Sequence, residues 1–401
     1  MRILFCNYEY PPLGGGGGVI NALLAEELAR RHEVAVLTSQ GLDLPRREEV
    51  RGVTVFRVPV LFRNDRSTAN FPSMFAFMVQ GTRFGRRLLR ERRFDLVNTH
   101  FALPSGPVGA ALARHADIPN VLSLHGGDLY DPSKWTSPHR HAPLRSWVRR
   151  LLRGADHLIG QSANTIANAR RFYDPDLEIS CIPLGIRRPS GEAADRRAHG
   201  FSDREVLLVT VGRLIARKAV DQLVALMPHL PPDSRLLIIG SGPKEEELRR
   251  QAAALGVVER VRFLGYVAEE EKYALLRMAD LYVSTSQHEG FGLVFLEAMA
   301  CGLPVICYDH GGQTDFLEDG VTGLLLPLNA REDFRRAVVS LIADPGRRRR
   351  MGEAARRRVE DYYIDNCARR YEEVFERVCA AHRNRSCRPM AAPLDGRHSS
   401  C

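Results

Sequence analysis

At 401 residues the chain is too long for one ordinary hydrophobic core and points to two α/β domains of nearly 200 residues each. A hydrophobic share of 44% beside 26% charged residues excludes a fibrous or wholly disordered chain. Net charge is +9 and the excess lies early: 26 Lys and Arg face 17 Asp and Glu through Ser190, against 31 and 31 beyond it.

The start, Met1-Arg2-Ile3-Leu4-Phe5-Cys6, meets Glu9, Pro11 and Pro12 too soon for the apolar core of a signal peptide. No later apolar run reaches the roughly 20 residues of a bilayer span. A cytoplasmic protein is expected. The eight cysteines are scattered without CxxC spacing and read as reduced thiols, with no structural zinc site.

Apolar β-branched runs alternate with helical patterns along most of the chain. Strands are expected at Ile3–Tyr8, Val34–Ser39, Val53–Val60, Leu96–His100, Val121–His125, Leu158–Gln161 and Ile179–Pro183, with a helix at Val19–Arg31. A polar stretch, Arg187–Asp203, separates them from a second series at Val206–Val211, Arg235–Ile239, Val261–Leu264, Leu281–Thr285 and Pro304–Tyr308. Such alternation predicts mainly parallel sheets wrapped by helices. Domains are expected at 1–186 and 187–365, followed by an apolar-faced helix at 366–382 and a polar, disordered tail at 383–401.

Arg83–Arg93 and Arg140–Arg153 carry the early positive charge. Interleaved with Phe84, Leu88 and Leu89, the first run suits either a solvated helix or peripheral contact with an anionic membrane surface. No nucleic acid recognition module accompanies it.

Four segments carry chemistry. Gly14-Gly15-Gly16-Gly17-Gly18 follows the first strand, so backbone amides and a helix N-terminus can approach an anion there; a flexible turn is the plainer alternative. The spacing is not GxGxxG, which argues against a dinucleotide site. His125-Gly126-Gly127-Asp128 ends another strand, where His125 can meet a sugar hydroxyl and Asp128 is a weaker acceptor-side candidate. Gly212-Arg213 and Lys218 place two cations five residues apart at a loop–helix junction, fit to converge on one diphosphate. The strand-end turns at Gly240 and at Tyr266-Val267 offer backbone and a ring to a nucleobase. The last segment, Glu289-Gly290-Phe291-Gly292-Leu293 through Glu297, sets two carboxylates eight apart with a phosphate-cradling helix start between them. Were the helix extended back, Glu289 and Glu297 would share nearly one face. Paired carboxylates also suit a hydrolase.

Together the glycine-rich first loop, the Gly-Arg…Lys element and Glu-x7-Glu resemble the retaining glycosyltransferases of family four, over nearly the whole chain to about Tyr371. Ala298-Met299-Ala300-Cys301-Gly302-Leu303-Pro304 and Gly311-Gly312 add to the resemblance. It implies the GT-B fold, two Rossmann-like domains facing each other across a cleft, and a last helix that crosses back to the first domain. It implies that Arg213 and Lys218 bind the donor diphosphate, Glu297 the ribose and Glu289 the transferred sugar. His125 would lie beside that sugar, and Gly15, Gly16 and Gly17 near phosphate or acceptor. The partners implied are a UDP- or GDP-sugar and an acceptor glycan or lipid-linked sugar. Sugar transfer would proceed with retention, without a cofactor or metal. Two positions depart from the family pattern: Ala219 stands where glycine is usual, and Asp315 where glutamate is frequent. The competing expectations are a sugar-nucleotide epimerase or hydrolase on the same architecture and a basic scaffold without catalysis.

Overall fold

The computed structural model describes residues 1–63, 70–132 and 134–386. Its first eight strands are β1 (Arg2–Cys6), β2 (Glu33–Ser39), β3 (Arg47–Val50), β4 (Val53–Val58), β5 (Leu96–His100), β6 (Asn120–Leu124), β7 (His157–Gly160) and β8 (Ile179–Cys181). They form one sheet in the order β3-β4-β2-β1-β5-β6-β7-β8, parallel except for the antiparallel β3–β4 edge. Around it lie α1 (Gly16–Ala29), α2 (Phe71–Glu91), α3 (Ser105–Ala116), α4 (Ala142–Arg153) and α5 (Ala163–Phe172).

The second sheet contains β9 (Val206–Val211), β10 (Ser234–Ile239), β11 (Val261–Gly265), β12 (Leu281–Ser284), β13 (Val305–Tyr308) and β14 (Gly323–Leu326), in the order β11-β10-β9-β12-β13-β14. Its helices are α6 (Val220–Leu226), α7 (Glu245–Ala254), α8 (Glu269–Met278), α9 (Leu293–Ala300), α10 (Arg331–Ala343) and α11 (Pro345–Val359). Central strands are apolar on both faces because helices cover both. Ile3, Leu4, Phe5 and Cys6 are all fully buried.

Every expected strand is present within two residues at either end, and β3 and β14 are additional. The first helix begins at Gly16 rather than Val19, so three of the five glycines form its opening turn. The last helix, α12 (Ile364–Ser386), is longer than expected at both ends and takes in residues 383–386; residues 387–401 lie outside the described part.

The chain crosses between the domains twice, near Ile186 and Tyr363, and the crossings pair with each other. Ile186 donates to Tyr362 O at 3.0 Å and Ile364 donates to Ile186 O at 2.8 Å. A Cβ on Gly185 would fall 2.6 Å from the Ile364 Cα, so only glycine allows this approach. Beyond it α12 lies against α1. Tyr371, Val374, Phe375 and Val378 join Ile3, Phe5, Leu24 and Leu28 in one core. Glu372 binds Arg31 at 2.8 Å and His32 at 2.7 Å, at the rim of this contact.

Candidate active site

The carboxyl ends of both sheets supply the loops of the site, as expected where parallel strands feed helices. On the second domain the loops after β9, β10 and β11 are zipped together. Gly212 donates to Ile239 O at 2.9 Å, Leu214 to Ser241 O at 3.0 Å, and Gly240 to Gly265 O at 2.7 Å. Gly240 has φ +128°, and a Cβ there would fall 2.0 Å from Gly212 O. Under these loops is a small hollow lined by Gly212, Arg213, Leu214, Lys218 and Ser284 among others. Arg213 is exposed at its lip with no carboxylate partner among the described residues. Tyr266 is 84% exposed after β11, with Val267 half-buried beside it.

Lys218 ends a tight turn, Ala216–Lys218, and its Nζ binds Glu289 Oε1. Arg217 reaches the same carboxylate at 3.3 Å through Oε2 and also donates to His288 O. Glu289 is buried, which alone would raise its pKa; Lys218 and Arg217 outweigh that and bring it from 4.5 down to about 2. Ala219, next along, is held in the left-handed region at φ +45°, ψ +38°. That is where a glycine would sit without strain.

After Glu289 the chain turns through Gly290, buried Phe291 and Gly292, whose φ of +94° caps α9. The first amides of α9, from Leu293, have no acceptor within the helix. The left-handed turn at Gly292 breaks the helical phase assumed from the sequence. Glu289 and Glu297 therefore serve different cations: Glu297 Oε1 binds Lys272 of α8 at 2.7 Å. Its Oε2 is buried without a partner, and burial raises this carboxyl despite Lys272.

On the first domain Gly14 has φ +105°, and Glu9 folds back so that its Oε2 accepts the Gly15 amide at 3.1 Å. Nothing lies within 4 Å of where a Cβ on Gly15 or Gly16 would be, whereas one on Gly17 would fall 2.2 Å from Phe101 Cζ. Phe101 takes a strained φ of +71° and stacks on His125 at 4.3 Å. Asp128 accepts the amides of Ala102 at 2.7 Å and His125 at 3.1 Å. It thus braces the loop with both oxygens, and burial raises its pKa to about 6 against those amides. Burial likewise drives His125 down to about 3, so the ring is neutral.

The two walls touch. A Cβ on Gly290 would fall 2.8 Å from His125 O. Ser162 Oγ donates to Gly290 O at 3.0 Å, and Asp315 Oδ2 accepts the Ala163 amide at 2.7 Å. Asp315 is therefore occupied at the domain contact. The cleft brings together His125, Gly290, Glu289, Lys218 and the Arg213 lip. Arg217, Lys272 and Phe101 belong to the same region and were not singled out in the sequence. Lys272 had one signal, since the chain has only four lysines.

This architecture has relatives. Residues 14–188 match Glycosyltransferase Family 4 and residues 192–358 match Glycosyl transferases group 1. A glycogen synthase of Mycobacterium tuberculosis is 32% identical over 378 residues, covering 90% of each chain. The chain belongs to glycosyltransferase family 4. A GDP-mannose-dependent alpha-(1-6)-phosphatidylinositol monomannoside mannosyltransferase of Mycolicibacterium smegmatis is 30% identical over 375 residues, covering 88% of this chain and 92% of its own. A solved sucrose-phosphate synthase from Thermosynechococcus elongatus superimposes with a TM-score of 0.83 at 25% identity, covering 95% of this chain and 99% of that one. The fold of this family 4 enzyme is GT-B, and its reaction is nucleotide-sugar-dependent sugar transfer. Among the described residues no group of three or more His, Cys, Asp or Glu side chains is placed to hold a metal ion. The Asp-x-Asp triplet, Asp174-Pro175-Asp176, has Asp174 paired with Arg153.

Proposed function

We propose that the enzyme transfers a sugar from UDP- or GDP-sugar to an acceptor hydroxyl with retention at the anomeric carbon. The observation that carries this is the contact between the walls: neutral His125 beside Gly290, next to a Glu289 ionised by Lys218 and Arg217. In this reading the diphosphate rests on Arg213, Lys218 and the amide end of α9, which stabilise the charge it gains on leaving. Glu297 Oε2, buried and free, accepts a ribose hydroxyl. Glu289 faces the transferred sugar and His125 stands beside it. Retention without a covalent intermediate is supported by the carboxylates: Glu289 has both oxygens on cations and Asp128 has both on amides, so neither is a free nucleophile. The departing phosphate then takes the acceptor proton on the same face. Arg213 and Lys218 supply positive charge at the diphosphate, so no metal is assigned to the reaction.

The acceptor is proposed to be an envelope glycolipid or polysaccharide presented at a membrane. The mycobacterial mannosyltransferase acts, by its name, on a phosphatidylinositol mannoside. Here α2 exposes Phe71 and Phe75 at one end and Arg83, Arg86 and Arg90 toward the other, and Arg86 lines an open cleft with Arg114 and His115 of α3. No helix among the described residues is long and apolar enough to cross a membrane, so contact would be peripheral.

The test is a thermal-shift panel of UDP, GDP and their sugars. A ligand at 100 times its Kd adds about 2.7 kcal/mol of stability. Nucleoside diphosphate released only when an acceptor is present supports transfer; release without one supports hydrolysis instead.

A further inference from the structure

Behind His125 runs a line of buried polar side chains that the transfer scheme does not use. Tyr371, on the crossing helix α12, donates to Ser123 Oγ at 3.2 Å, and Ser123 Oγ donates to Asn98 Oδ1 at 3.2 Å. Asn98 Nδ2 stands 2.8 Å from His100 Nε2, and His100 Nδ1 stands 2.9 Å from His125 Nε2. Asn98, His100, Ser123 and Tyr371 are each at most 1% exposed, so the chain of bonds is shielded from bulk solvent.

The line has a direction. A neutral imidazole carries one N–H and one lone pair. Burial pushes His100 well below its ordinary value and His125 down to about 3, so both rings are neutral. With Asn98 Oδ1 turned to the Ser123 hydroxyl, the amide hydrogens of Asn98 face His100. Nε2 of His100 then accepts, its proton resides on Nδ1, and Nδ1 donates to Nε2 of His125. His125 is left with its proton on Nδ1. That atom is buried and has no hydrogen-bond partner in the protein. An orphaned buried donor is costly, and a bound acceptor atom offsets the cost.

We propose that Asn98 and His100 are positioning residues that fix the tautomer of His125, so that its Nδ1–H is offered to an oxygen of the donor's sugar. The proposal rests on the cleft being the donor site. It predicts that this bond reads the sugar half of the donor and is indifferent to the nucleotide half.

Nitrogen-15 NMR of histidine-labelled protein reports the tautomer directly, without ligand. Wild type is expected to show His125 protonated on Nδ1; a proton on Nε2 overturns the proposal. Asn98→Asp keeps the shape but turns an acceptor toward His100, so it should reverse both rings and place the His125 proton on Nε2. His100→Phe keeps a ring between Phe5 and Tyr371 but removes the donor to His125. For His100→Phe, affinity for UDP and GDP should stay within about twofold. The added affinity of UDP-glucose or GDP-mannose over the bare diphosphate should fall, with turnover down roughly five- to tenfold, the worth of one hydrogen bond. His100→Asn, which retains an N–H near the position of Nδ1, should recover most of that loss. If His100→Phe melts early, Asn98→Asp carries the kinetic comparison. Unchanged sugar-nucleotide affinity and turnover in the variant that folds would overturn the proposal. Wild type that binds neither UDP nor GDP would remove the donor site and this role with it, whereas an Nε2 proton beside normal diphosphate binding removes the role alone.

Discussion

Replacing Lys218 by methionine probes the charge balance on which the second wall is built. Lys218 and Arg217 together hold the buried Glu289 carboxyl at about 2, below its ordinary 4.5. Because the folded value is the lower one, the stabilisation is full above pH 4.5 and is lost as pH falls through about 2. At 1.36 kcal/mol for each pH unit between those values, the attraction of the two cations net of the burial penalty is worth about 3 kcal/mol. Arg217 remains in Lys218→Met at 3.3 Å, so roughly half of that, 1–2 kcal/mol, should be lost in urea unfolding at neutral pH. With Arg217 still in place the folded carboxyl then titrates between about 2 and its ordinary 4.5, so the deficit should shrink as pH falls through that range. Lys218→Met/Glu289→Gln should regain most of the stability. Turnover should drop roughly 30- to 1000-fold in both, since the diphosphate has lost a preorganised cation. A Lys218→Met protein as stable as wild type, or a deficit that persists in the double variant, would refute the electrostatic account.

Ala219→Gly should stabilise the enzyme by roughly 0.5–1 kcal/mol, because the left-handed backbone costs alanine more than one buried methyl returns. No rise in melting temperature would mean that the turn is relaxed. Gly290→Ala should cut turnover at least about tenfold by pushing the His125 loop off the second domain, for the new Cβ would be 2.8 Å from His125 O. Normal turnover would show that the walls need not meet. Arg86→Glu/Arg90→Glu should abolish sedimentation with anionic vesicles at low salt while leaving the melting temperature unchanged. Wild type that fails to sediment ends the membrane proposal.

Strands buried on both faces announce themselves as uninterrupted apolar runs, which is why β1, β9 and β12 were legible. β3 was not, because Arg47-Glu48-Glu49-Val50 is a half-exposed antiparallel edge without an apolar face. β14 was hidden by its shortness, since Gly323 enters it only by lying against Val305. The glycine loops of the site could be read because parallel strands deliver them to one edge. The partner of Glu297 could not, as Lys272 approaches from another helix. Nor does any local signal mark Phe101, a bulky residue at positive φ whose ring lies between Gly17 and His125.

The return of α12 to the first domain has a consequence for synthesis. Phe5 and Leu28 share one core with Tyr371, Val374 and Phe375 of α12, so the amino-terminal half emerging from a ribosome must wait with an open seam while the entire second domain is made. Cutting the chain before Ile364 would therefore wound the domain that is most distant in sequence from the cut.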